Sequence, residues 1–173
     1  MPTTNTTPIL LQPASPSSSP SDTWSGDGRI RAVVEAVLPA VDGGRFAVKR
    51  VAGEPFTVTA HCFTDGHDVL RVMLAWRKES ETAFTEVPMT ALGNDEWQAT
   101  WVPPSPGRYR YTVTAWVDPF DSWRRELVRR VDPEDIRIAA RVGALEIAAA
   151  AERATPEDRE MLATWAHALE TAA

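Results

Sequence analysis

The sequence predicts a mainly β fold: an immunoglobulin-like antiparallel β-sandwich, then an αα-hairpin that reads as an incomplete helical bundle, behind a disordered N-terminal tail. Three observations carry this. Residues 108–117 alternate strictly, with Tyr109, Tyr111, Val113, Ala115 and Val117 on one side and Arg108, Arg110, Thr112 and Thr114 on the other, the period of a half-buried strand. Short runs of the same kind recur between Gly, Pro and Asp turns. After Asp132 the period lengthens to that of a helix.

Residues 1–28 are Pro, Ser, Thr and Gly with little to bury, so they cannot offset their ordering entropy and are expected to be disordered. The sandwich is expected over residues 29–132. Its first strand falls within residues 30–38 and stops at Pro39, and the glycine pair in Val41-Asp42-Gly43-Gly44 marks a turn. Phe56, Val58, Ala60 and Cys62 form the apolar side of a second strand, and Leu70, Val72, Leu74 and Trp76 that of a third. Residues 84–89 form a short strand weakened by Pro88, and residues 97–102 place Trp97, Ala99 and Trp101 on one face. After residues 108–117, Asp118-Pro119-Phe120-Asp121 stops the strand, and residues 123–131 are expected to complete a hairpin as a seventh, arginine-rich strand. Pro106-Gly107-Arg108-Tyr109 matches the tyrosine that opens a late strand in immunoglobulin-like sandwiches.

Residues 133–173 predict two helices. Pro133-Glu134-Asp135 opens the first, with a seam at Ile136, Ala140, Ala144 and Ile147. Thr155-Pro156-Glu157-Asp158 opens the second: Thr can cap, Pro suits the first helical position and the acids favour the positive end of the dipole. Met161, Leu162, Trp165, Ala166 and Leu169 then form one stripe.

Composition narrows the function. A net charge of −6 over 173 residues disfavours nucleic acid as a partner. No apolar run approaches the ~20 residues of a membrane span, and the N-terminus lacks the basic start of a signal or transit peptide, so the cytoplasm is the expected location. The single cysteine, Cys62, excludes an internal disulfide.

No catalytic constellation, cofactor motif or zinc signature is present. His61, Cys62 and His67 are the one ligand-like cluster, but adjacent strand residues point to opposite faces, so no metal site is expected. Asp65 and Asp68, and Asp118 and Asp121, are explained as turn residues. Arg124, Arg125, Arg129 and Arg130 are expected to be protective charge on a solvated edge strand. Among seven tryptophans, Trp97 and Trp101 share a face with Ala99 and are expected in the core. Trp116, on the otherwise polar face, is either a core residue or a platform on which a sugar ring stacks.

Blocks in order from residue 29 to 131 resemble a known family. They are Arg29-Ile30, residues 41–50 (VDGGRFAVKR), Gly53-Glu54-Pro55, residues 65–70 (DGHDVL), Val87-Pro88-Met89, Gly93-Asn94-Asp95, residues 106–111 (PGRYRY), residues 116–120 (WVDPF) and Ser122-Trp123-Arg124-Arg125. Together they are similar to the start of an actinobacterial α-1,4-glucan:maltose-1-phosphate maltosyltransferase of the amylase superfamily. That resemblance implies a cytoplasmic homodimeric enzyme that extends α-1,4-glucans from α-maltose 1-phosphate with release of phosphate. It implies an aspartate nucleophile and a glutamate acid/base on a (β/α)₈ barrel of ~250 residues, and no cofactor. In the family a helical insert interrupts the N-terminal sandwich, and the two helices fit its first half. There is no room here for the barrel, and no catalytic residue is carried onto any position. The expectation is an inactive N-terminal scaffold and dimerisation region of a longer enzyme, with that enzyme's catalytic barrel as its partner. The alternative is a free-standing α-glucan-binding sandwich.

Overall fold

The computed structural model describes residues 8–13 and 31–171. Nine strands in two sheets precede three helices among these residues. The strands are β1 (Pro8–Pro13), β2 (Ala32–Leu38), β3 (Val48–Val51), β4 (Phe56–Thr64), β5 (Leu70–Lys78), β6 (Thr85–Pro88), β7 (Thr90–Gly93), β8 (Glu96–Trp101) and β9 (Arg108–Val117). One sheet runs β3-β1-β9-β5-β6 and the other β2-β4-β8-β7. Neighbours are antiparallel apart from β1 and β9, which are parallel. The chain divides into two units, before and after the Val117–Asp118 bond.

The alternation read from the sequence is the alternation that buries. Phe56, Val58, Ala60 and Cys62 of β4 face Leu70, Val72 and Leu74 of β5 and Tyr109, Tyr111 and Val113 of β9 across the sandwich, all buried. Trp101 sits at the centre of an aromatic cluster. It meets Phe56 edge-on at 4.6 Å and stacks on Trp76 at 5.6 Å.

Tyr109 closes a tyrosine corner. Its hydroxyl donates to the carbonyl of Ser105 at 2.9 Å, four residues upstream, tying the Pro106-Gly107 turn to the start of β9. Gly107 makes the turn possible: its φ is +152°, and a Cβ there would lie 2.9 Å from Lys78 Cε. Tyr109→Phe is expected to strand the Ser105 carbonyl and to cost about 1–2 kcal/mol, read as a lower urea midpoint at an unchanged slope.

Two sequence expectations are corrected. Residues Pro8–Pro13, in the stretch expected to be disordered, form β1; the rest of that stretch lies outside the described residues. Residues 123–131 are not a strand: α1 (Pro119–Leu127) occupies most of them. Asp118 caps it by accepting from the Asp121 amide at 2.9 Å, and Pro119 fills a first-turn position. The arginine run therefore lies on and just beyond a helix, with Arg124 paired to Asp121 at 3.1 Å and Arg130 to Glu126 at 3.6 Å. At the helix C-terminus those cations also suit the dipole.

The second unit holds α1, α2 (Pro133–Arg153) and α3 (Pro156–Thr171). Both predicted starts hold: Asp132 accepts from the Glu134 and Asp135 amides, and Thr155 Oγ1 from the Asp158 amide. Burial concentrates on the small residues of α2, with Ala139, Ala140, Gly143, Ala144, Ile147 and Ala151 all covered. Ile136, expected in that seam, is exposed. Only Ala166 of the α3 stripe is buried; Met161 and Trp165 face outward.

Candidate functional site

The candidate residues scatter over the two units. Strand alternation separates Cys62 from His61: the cysteine is buried in the core, while His61 lies on the other face of β4 in register with Glu96. Desolvation pushes the Cys62 thiol up to about 11, the opposite of what an activated nucleophile or thiolate ligand needs. Among the described residues no three His, Cys, Asp or Glu side chains converge as a metal site would require.

The carboxylates have structural work. Asp65 and Asp68 grip one guanidinium, with Arg31 Nε 2.9 Å from Asp65 Oδ1 and its Nη2 2.6 Å from Asp68 Oδ2. This clamps the start of β2 to the β4–β5 turn, and the hydrogen bonds to Asp65 and then Asp68 raise the Arg31 pKa. Asp118 is a cap and Asp121 an ion-pair partner. A depression of about 370 Å³ beside β6, β7 and β8 is lined by Val87, Pro88, Thr90, Leu92, Gln98, Ala99 and Thr100 and offers no acid, base or nucleophile of perturbed pKa.

The tryptophans divide by face. Trp101 is buried, and Trp97 packs against the core with its Nε1 donating to the Cys62 carbonyl at 3.1 Å. Trp116 remains 46% exposed on the solvent side of the β9 sheet. There it stands in cross-strand register with Arg71, next to the Thr114–Met73 pair. An exposed indole flanked by a guanidinium and a hydroxyl can stack on a pyranose face and bond its hydroxyls. Arg71 was not among the sequence candidates, because only the β5–β9 register brings it to Trp116. Further along, Glu79 engages both Arg110 at 3.1 Å and Arg108 at 3.7 Å, which offsets part of the positive charge at that end of the face.

Fold and surface thus define an immunoglobulin-like sandwich joined to a helical unit, with structural roles for its carboxylates and one aromatic surface. A family model for domain N/S of α-1,4-glucan:maltose-1-phosphate maltosyltransferase matches residues 30–173, and the chain belongs to that family. It is 45% identical over 133 residues to the enzyme of that name from Chlorobaculum tepidum, covering 76% of this chain and 20% of the relative. The Myxococcus xanthus enzyme is 43% identical over 138 residues, covering 75% and 21%, and that of Salinibacter ruber 39% over 144 residues, covering 81% and 22%. The chain therefore spans about a fifth of the length of these relatives. No helix among the described residues is long and apolar enough to cross a membrane.

Proposed function

We propose that this chain is the N-terminal, non-catalytic scaffold of a longer maltosyltransferase, an enzyme that transfers maltosyl units from α-maltose 1-phosphate to α-1,4-glucan. The observation that carries this is the pairing of high identity over three quarters of the chain with coverage of only a fifth of the relatives. A catalytic (β/α)₈ barrel needs ~250 residues, and the described residues form none. Its partner is that barrel, carried on the same longer polypeptide, which works as a cytoplasmic homodimer. The outward-facing Met161 and Trp165 of α3 support a role in a larger assembly, because such apolar surface favours association. An antibody to residues 29–131, used on a denaturing blot of native extract, should find a band several-fold heavier than the 19.0 kDa of this chain. A band at 19.0 kDa alone would overturn the proposal.

The exposed Trp116 beside Arg71 favours a second role, retention of α-glucan on the sandwich. Glycogen cast into a native gel should retard the chain, and Trp116→Ala should remove most of the retardation while leaving the melting temperature within about 2 °C, as a surface substitution does. Equal retardation of both proteins would place any binding elsewhere.

A further inference from the structure

Trp116 and the depression beside β6, β7 and β8 are neighbours. The indole projects from the solvent side of β9, and the depression of about 370 Å³ opens where the chain crosses from β6 to β7. Thr114 of β9, Met73 of β5 and Pro88 of β6 stand in one cross-strand row, and Trp116 is two residues further along β9. Strands lie about 4.8 Å apart and rise about 3.3 Å per residue, so the backbones of Trp116 and Pro88 are only about 12 Å apart. The crossing itself is held in place. Met89 is buried, and its amide donates to the Val72 carbonyl at 2.9 Å, which fixes Pro88 and Thr90 on either side of it. Thr90 pairs with Gln98 across the β7–β8 ladder. Thr100 follows two residues along β8, so all three project from the same side of that sheet, and the Thr100 hydroxyl lies 2.8 Å from that of Thr57. The depression thus offers two hydroxyls and an amide between the apolar Pro88 and Leu92. Among the described residues none of the side chains that line it is charged.

We infer that the depression is a subsite for α-1,4-glucan, filled by the same chain of glucose units that stacks a ring on Trp116. This rests on the reading of the sandwich as a glucan-retaining surface. A pyranose ring has apolar C–H faces and a rim of hydroxyls. The faces fit Pro88 and Leu92, and the rim fits Thr90, Gln98 and Thr100, whose groups both donate and accept. A sugar phosphate is disfavoured, because its phosphate would lose water with no cation in the depression to pair with it. A glucan long enough to reach both places makes the second contact as an intramolecular event. Chain length therefore governs binding, and a disaccharide gains little from the pair of sites.

Maltose and maltoheptaose titrated into the isotopically labelled 173-residue chain, with amide and indole shifts followed by NMR, decide. Maltoheptaose should move the Trp116 indole and the amides of residues 89–92 and 98–100 together, at one midpoint, and should bind about 10-fold tighter than maltose. Gln98→Ala should weaken maltoheptaose about 5-fold, the effect of one lost hydrogen bond, and leave the maltose response of the Trp116 indole unchanged. Leu92→Glu, on the exposed rim, is the second variant and should act in the same direction. Shifts confined to Trp116, or two variants that bind maltoheptaose as the parent does, would overturn the inference and leave the glucan reading standing. Shifts at residues 89–92 and 98–100 that persist at full affinity in Trp116→Ala would keep the depression as a site of its own and overturn the shared chain. No shift at either place would overturn the inference together with the glucan reading.

Discussion

Trp101→Ala is expected to cost the sandwich about 3–5 kcal/mol, the range for truncating a large buried aromatic side chain. The ring is where the two sheets meet. It contacts Phe56 of its own sheet edge-on at 4.6 Å and stacks on Trp76 of the other at 5.6 Å, with Tyr111 at 6.0 Å. Those neighbours are themselves anchored in strands, so the cavity left behind can collapse only in part. Trp101→Phe separates packing from polarity. The Trp101 indole N–H is buried with no acceptor among the described residues, so phenylalanine sacrifices no hydrogen bond and removes an uncompensated polar group. It should cost less than half as much as alanine. In thermal unfolding the alanine variant should fall by more than about 10 °C. Equal, large losses for the two variants would mean that a phenyl ring recovers none of the packing and that the site requires the full outline of the indole.

Much of this core was legible because period two over nine or ten residues leaves little ambiguity: β4, β5 and β9 lie where their alternation places them, and the same alternation puts Trp101 inside and Trp116 outside. Length decided what was missed. Val48–Val51 and Thr90–Gly93 offer only two repeats of the period, too few to stand out from a loop. β1 was missed for a different reason. Its short apolar run stands among Pro, Ser and Thr residues that carry no strand signal, and what orders it is a pairing with two distant strands.

The misassigned segment is more instructive, because its signal was present. Asp118-Pro119, Asp132-Pro133 and Thr155-Pro156 are the same start, a capping side chain followed by proline. The second and third were read as helices and the first as the end of a strand. Phe120, Trp123 and Leu127 repeat at three and four residues, a helical spacing. Expecting the hairpin partner of β9 displaced that local evidence. At the candidate surface, Trp116 was legible as an exception to a polar face, whereas Arg71 required the register of two strands separated by some forty positions in the chain.

Gly143→Ala is the second large effect, and two principles predict opposite signs for it. In an exposed helix interior, alanine is favoured over glycine by about 1 kcal/mol. Gly143 is buried in α2, however, and a Cβ there would lie 2.0 Å from Cζ2 of Trp123 and 2.3 Å from its Cε2. Carbon atoms pack at about 3.5–4.0 Å, so either α1 retreats from α2 or the indole leaves. If the ring leaves, it gives up the 2.7 Å hydrogen bond from its Nε1 to the Ala139 carbonyl. Overpacking of this kind costs about 1–3 kcal/mol, which outweighs the propensity gain, so denaturant unfolding should show a net loss. The double variant isolates the cause. In a Trp123→Ala background the clash is gone, and Gly143→Ala should then stabilise the helical unit by up to about 1 kcal/mol. A change of sign between the two backgrounds locates the constraint at the Trp123–Gly143 contact. The same sign in both would mean that α1 does not pack on α2 in this way.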